Sequence, residues 1–317
     1  MLKEFKSFVE KHNLIEKDDR VLLAISGGVD SMVLAKLLIL SQQTTDNGQQ
    51  TSSTIQQLNL VTETVEVSIV QSSEFRVQSS IAFAHCNFHL RGEDSNRDEK
   101  FVTDFAKENN IPVYIKRFDT ESYAKENSLS IEMAARELRY SWFKELKETH
   151  NLNKVALAHH GDDQIETFFI NFLRGSGIKG LKGMKPQNDF YIRPLLWSNR
   201  NEIEAFAKEN GIQWVEDYTN QETVYLRNKI RHNIIPIFDE MKNNARQSLN
   251  FSIDCLSSEN DLYRSLLEEK FASIEHIDGD CRSIDVKCLL ENENGRQLLF
   301  ECVRRFAFTL HPPDSMP

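Results

Sequence analysis

Apolar runs alternate with amphipathic stretches over the first two thirds of the chain. Residues 21–25, 81–85, 111–115 and 155–158 are short, mostly apolar runs with few charges, the pattern of strands buried on both faces. Between them, residues 32–40 are apolar at helical length, residues 95–109 form a charged helix, and residues 130–143 form a helix with Ser130 as its cap. After the fourth strand, Ile165, Phe168, Phe169 and Phe172 make one apolar face of a helix that closes at Gly175, and a further helix covers 201–210. Phe5, Phe8 and Val9 place a short packing helix before the first strand, and residues 212–215 read as a last strand of this unit. Strands alternating with helices predict an α/β, doubly wound, mainly parallel sheet that binds its ligand beyond the carboxyl ends of the strands.

Two stretches break the rhythm. Residues 41–80 are rich in Ser, Thr, Gln and Asn, far longer than a connection in such a sheet, and Val65, Val67 and Ile69 alternate as in a small edge hairpin. From about residue 216 the pattern turns helical and charged, with a break near Asp278-Gly279-Asp280, so the expected organisation is a catalytic unit over 1–217 and a small all-helical domain over 218–317. At 317 residues with 40% hydrophobic content the chain can fill such cores. A net charge of −10 excludes a protein that coats nucleic acid through its overall field, so any RNA site must be local. Five cysteines without a C-x-x-C pair read as small buried side chains in a reducing compartment, and with neither a membrane span nor a signal core the expected location is cytoplasmic.

The first strand runs into Ser26-Gly27-Gly28-Val29-Asp30-Ser31 and a helix. Two glycines let the backbone turn so that its N–H groups converge on an anion, Ser31 caps the helix, and the positive helix end faces the same spot. A nucleotide pyrophosphate is the expected occupant, with Asp30 holding Mg²⁺ beside it. Neither the Gly-Lys-Ser/Thr ending of a Walker A loop nor the three glycines of a dinucleotide loop is present. An ordinary capped strand-turn-helix junction is the plain alternative.

A second group of reactive side chains, His159-His160-Gly161-Asp162-Asp163-Gln164-Ile165-Glu166, ends the fourth strand. Asp163 and Glu166 lie on one side of the new helix, either as reactive carboxylates or as a relative of the capping box, and a zinc site ranks below both. Next, Arg174 to Lys185 combines glycines with four cations, suited to a phosphate-rich second substrate or simply to solvent. Arg136 either reaches the ligand or pairs with Glu132, while Arg227 and Arg231 share one face of a helix ending near Pro236, on RNA phosphates or clamping acidic neighbours.

Together these motifs resemble the PP-loop ATP pyrophosphatases and, over residues 20–238, the tRNA(Ile)-lysidine synthetase family. The resemblance rests on the Ser26 to Ser31 loop, the Ala134-Ala135-Arg136 helix, residues 158–167 with Arg174-Gly175-Ser176-Gly177, and Glu216-Asp217 leading to Arg227-Asn228-x-x-Arg231. It implies that ATP adenylates the ring carbonyl oxygen of the wobble cytidine in an isoleucine tRNA with a CAU anticodon. The amine of free L-lysine then displaces AMP, which changes AUG reading into AUA reading. By matched position it gives Ser26, Gly27, Gly28, Val29, Ser31 and Arg136 to ATP and Asp30 to magnesium. His159, Asp163 and Glu166 fall to the cytidine and lysine chemistry, and Arg174, Lys182, Arg227 and Arg231 to tRNA.

Three departures accompany the match. Phe88 stands where the family often has His, so a contact there is expected to be lost or replaced by His89; residues 41–80 are foreign to the pattern; and the further C-terminal domain of longer members is expected to be absent. A homodimer is left open. A cytidine 2-thiolation enzyme would need the missing C-x-x-C pair, and a noncatalytic nucleotide sensor would need neither His159 nor the basic helix. Because a polar loop costs little beyond slowly growing closure entropy, replacing Gln42 to Gln78 by a short Gly/Ser linker is expected to preserve ATP-dependent lysine incorporation. A large loss of incorporation in a folded variant would show that the insertion contacts substrate.

Overall fold

The computed structural model describes residues 1–43, 67–69, 80–216, 226–278, 281–284 and 286–310. Helix α1 (Leu2–Lys11) buries Phe5 and leads to β1 (Val21–Ala24), which feeds α2 (Val29–Gln43). An edge strand β2 (Val67–Ile69) precedes β3 (Ile81–Asn87), α3 (Glu93–Glu108) and β4 (Val113–Arg117). Then come α4 (Thr120–Glu126), α5 (Ile131–Thr149), β5 (Lys154–Ala156), α6 (Gly161–Leu173) and the single turn α7 (Ile178–Leu181). A two-residue strand pair, β6 (Gln187–Asn188) and β7 (Tyr191–Ile192), completes the sheet ahead of α8 (Arg200–Glu209).

The sheet order is β2-β4-β3-β1-β5-β7-β6, with parallel pairing from β4 through β7 and antiparallel strands at both edges. Side-chain alternation explains why helices cover both faces. Val21 and Leu23 of β1 enter one core with α2, α3 and α8, while Leu22 enters the other with Trp142, Phe143 and Leu146 of α5. Every one of these residues is almost wholly buried, so β1 is the central strand and the loop after it is held from both sides. Ser130 caps α5 as its sequence predicts, its Oγ accepting from Met133 N–H at 3.2 Å.

The insertion lies almost wholly outside the described residues; within it, β2 pairs antiparallel with β4 as a single edge strand. Residues 212–216 do not join the sheet. Val215 N–H instead donates to Gly27 O at 2.9 Å, bracing the loop after β1, and this contact displaces the expected terminal strand. Strands β6 and β7 were invisible in the pattern because two residues are too short to show a period. Of the cysteines described, Cys302 is buried, whereas Cys86 and Cys255 are only partly so.

The expected boundary at 217 falls outside the described residues. Beyond it, α9 (Leu226–Lys229) passes through a π-helical turn (Ile230–Ile234) into α10 (Ile235–Met241). Pro236 therefore opens a helix rather than ending one, because an absent N–H is harmless in a first turn. The long α11 (Ala245–Ala272) follows, then the hairpin β8 (Glu275–Asp278) and β9 (Cys281–Ile284), α12 (Val286–Glu291) and α13 (Gly295–Leu310). The all-helical expectation is thus corrected: β8 and β9 pair antiparallel on either side of the expected break, whose Gly279 and Asp280 lie outside the described residues. A separate core of Ile165, Ile230, Ile235 and Ile253 fastens these helices onto α6, next to the carboxyl ends of the strands.

Candidate active site

Three strand ends, those of β1, β5 and β7, meet at one rim. After β1, Gly27 takes a positive φ of 91°, a conformation that a side chain would strain. Gly28 N–H donates to Ser26 Oγ at 3.3 Å, while Ser31 Oγ donates to Gly28 O at 2.9 Å and accepts from Ser26 N–H at 3.2 Å. The two serines thereby hold the loop closed. Because α2 begins at Val29, Ser31 sits inside its first turn and braces the loop instead of capping the helix. The amides of that turn and the helix dipole suit an anion.

At the end of β5, His160 is the residue that caps α6. Its Nδ1 accepts from Asp162 N–H at 3.2 Å, and Asp163 Oδ2 accepts from His160 N–H at 3.0 Å. Asp163 therefore belongs to a capping box, but with His160 as the cap and not with Glu166 as its partner. Gly161 is required here, since a Cβ would lie 2.6 Å from Asn250 Nδ2 and 2.9 Å from Ser198 O.

Charges run without interruption from loop to helix. Asp30 Oδ2 accepts from Arg200 Nη1 at 2.8 Å, and its Oδ1 lies 3.7 Å from His160 Nε2 and carries no hydrogen bond. His160 Nε2 is 3.6 Å from Asp163, Arg231 is 3.7 Å from Asp163, and Arg231 grips Glu166 with both ends, at 2.6 and 3.1 Å. Arg227 stands 3.5 Å from the same Glu166. On the other side, buried Asp162 accepts from Arg200 N–H at 3.0 Å and from Arg246 at 2.8 Å, and Arg246 continues to Asp239.

Burial pushes the Asp30 carboxyl up, against the pull of His160 and Arg200, so an additional cation at its unpartnered oxygen would relieve it. Asp30 thus fits a magnesium ion, although among the described residues no group of three potential ligands is assembled. For Asp163 burial also acts upward, but the imidazoles of His160 and His159, the His160 N–H and Arg231 outweigh it and lower the carboxyl. His159 is partly exposed with Nδ1 buried and unpartnered, and burial lowers it to about 4, so the ring is neutral near pH 7.

Not every expected residue offers itself to substrate. Glu166 is wholly buried, and burial raises its carboxyl even though Arg231 opposes this; as arranged, it holds Arg231 rather than facing the rim. Arg231 correspondingly spends its guanidinium inside the protein, which departs from the expectation of a cation free for RNA. Arg227 keeps 47% of its side chain exposed. Arg136 is exposed and lies over the Tyr140 ring at 4.8 Å, without the pairing to Glu132 considered from spacing. Arg174 is exposed at the end of α6, and Lys182 is partly buried, with burial and the neighbouring Lys185 lowering its ammonium. Phe88 is committed to packing, stacked on Phe118 at 5.4 Å and under Arg139 at 5.2 Å.

Sequence reasoning missed Arg200, Arg246 and the two roles of Asp162. One signal was present: Arg200 is the first residue of α8, where the helix dipole disfavours a cation, so it must be held there by something else.

Residues 1–238 match the model of the PP-loop domain. The chain belongs to the PP-loop family. Membership implies use of ATP. A tRNA(Ile)-lysidine synthase of Parabacteroides distasonis is 35% identical over 98% of this chain and 62% of its own length. One from Bacteroides thetaiotaomicron is 37% identical over 96% of this chain and 61% of its own. The chain therefore spans about three fifths of the length of these relatives. Among solved structures, a U34-tRNA thiolase from Methanococcus maripaludis superposes with a TM-score of 0.58 at 16% identity, covering 88% of this chain and 80% of that one, a likeness of fold.

Two outcomes follow for this PP-loop site. Replacing Arg231 by Gln strands Glu166 in the interior, so unfolding free energy is expected to fall by up to about 3 kcal/mol, the lower end for a buried pair because Glu166 can take up a proton. An unchanged denaturation midpoint would show that the pair contributes nothing. For His159, the folded value of about 4 lies below its ordinary 6.5, so the unfolded chain binds more protons between them. Stability is complete above pH 6.5 and is lost as pH falls below it, by up to about 2 kcal/mol at pH 5. His159→Asn should show less acid destabilisation than the unaltered chain in paired urea melts at pH 7 and 5.

Proposed function

We propose that this chain uses ATP to attach free L-lysine to the wobble cytidine of an isoleucine tRNA with a CAU anticodon, forming lysidine and releasing AMP and pyrophosphate. The observation that carries the reading is the placing of a neutral imidazole, His159, and an anionic Asp163 on the same rim as the phosphate loop, in a chain 35% identical to a named tRNA(Ile)-lysidine synthase. In the first step the ring carbonyl oxygen of cytidine attacks the α-phosphorus of ATP, and pyrophosphate leaves. The amides after Ser26 and the start of α2 hold the phosphates, with Arg136 as an exposed cation nearby. Asp30 would hold Mg²⁺, whose charge would offset that gathering on the departing pyrophosphate.

In the second step the ε-amine of lysine bonds to the ring carbon, the carbon–oxygen bond breaks, and AMP leaves with the oxygen. An amine attacks only when uncharged, and the bound nitrogen must then lose a proton. His159 is suited to accept it because burial keeps the ring unprotonated at neutral pH. Asp163 is suited to orient the ammonium before it is neutralised. Arg200 keeps Asp30 aimed at the loop, and Arg231 with Glu166 fixes the flank of Asp163. tRNA would meet Arg174, Lys182 and the exposed part of Arg227, a local cationic strip on an acidic protein.

Incubating the protein with ATP, labelled lysine and an isoleucine tRNA transcript is expected to yield a nucleoside with the mass of cytidine plus lysine less water. Asp30→Ala should leave the fold intact while abolishing magnesium-dependent pyrophosphate release. Near-original release by that variant would remove Asp30 from the reaction, and no lysine on cytidine from the unaltered protein would overturn the reading.

A further inference from the structure

Arg193 is 9% exposed, yet among the described residues its positive charge has no counter-anion. Its Nη1 donates to Lys185 O at 2.9 Å, its Nε is buried with no hydrogen-bond partner, and among the described residues no carboxylate lies within ion-pair distance. Burial lowers its guanidinium from the ordinary value; Tyr140 opposes this, and a second cation, Arg136, adds to it. A desolvated cation left unpaired costs several kcal/mol, so a fold that keeps one does so where an anion arrives from outside.

Its position says which anion. Arg193 follows β7 directly, and β7 pairs in parallel with β5, with Leu157 N–H on Ile192 O at 2.9 Å and His160 bridging to Leu195. Continuing the pairing of Ala156 with Ile192 sets Arg193 opposite Leu157, two residues before His159, on whose ring its charge acts, with β5 between it and the phosphate loop of β1. The unpartnered Nε side of a guanidinium is the edge that receives a carboxylate through two parallel hydrogen bonds.

We infer that Arg193 is the anchor for the α-carboxylate of the incoming amino acid. The inference rests on the proposed lysine chemistry and extends it to the other end of the substrate. With the carboxylate at Arg193, the four-methylene stem of lysine crosses one strand spacing toward His159 and Asp163, which meet the ε-amine. The single donor given to Lys185 O ties the basic loop to the same guanidinium, so the loop after α7 is seated beside the bound amino acid.

The test compares lysine, lysinamide and cadaverine, the last two lacking the carboxylate charge, in the tRNA assay with ATP held saturating. The unaltered protein should favour lysine over lysinamide by about tenfold to hundredfold in kcat/KM, the range for one hydrogen-bonded charged contact. In Arg193→Gln that preference should collapse toward unity through a raised KM for lysine, with KM for ATP changed less than about twofold. Arg193→Lys keeps the charge and a donor for Lys185 O but loses the paired edge; it should lose part of the preference, and it decides the matter if the Gln variant fails to fold. A preference unchanged in the folded variants, or a rise in KM for ATP alone, overturns the inference while leaving the lysine chemistry standing. No lysine incorporation by the unaltered protein overturns the chemistry and the inference together.

Discussion

Charges taken out of water must be paired, and that requirement organises the junction between the sheet and the C-terminal helices. Glu166 is wholly buried on α6 and Asp162 nearly so. Neither has a partner within its own helix: Glu166 is met by Arg231 from the π-helical turn, and Asp162 by Arg246 of α11 and the backbone of Arg200. If α9 to α11 moved away, two carboxylates would be left uncompensated in a low-dielectric interior. The apolar cluster around Ile165 and Ile253 supplies attraction, and the ion pairs supply its register.

The same pairing aims the reactive groups. Asp30 is drawn toward Arg200, which leaves its second oxygen unpartnered at the loop, and Asp163 is drawn into the capping box of α6. A carboxylate that caps a helix is held in one rotamer before any substrate arrives. His159 differs from its neighbour in a way that matters: His160 is spent on the cap, whereas His159 keeps a buried, unpartnered Nδ1 and stays neutral. Two adjacent histidines thus divide into one that builds the site and one available to act in it.

Local signals were sufficient for β1, β3, β4, β5, the Ser130 cap and the turn at Gly27, because each rests on the order of residues along a few turns of chain, though not for the place of Ser31 inside the helix. Strand period, cap chemistry and glycine placement are short-range properties, and they were enough to predict a doubly wound sheet. The likeness in motifs to lysidine-forming enzymes was legible for the same reason, since the matched residues are contiguous blocks.

Tertiary structure alone decided who pairs with whom. That Arg231 faces Glu166, that Arg200 holds Asp30 across 170 positions, and that Val215 braces Gly27 instead of joining the sheet are long-range contacts with no signature in spacing. The π turn that starts at Ile230 and the hairpin at 275–284 likewise depend on what packs against them. Sequence specified which side chains have the required chemistry and which element carries each. The meeting of three strand ends decided which of those charges are neutralised internally and which, like Arg193, are left for a ligand, because pairing in an interior is set by distance in space and not along the chain.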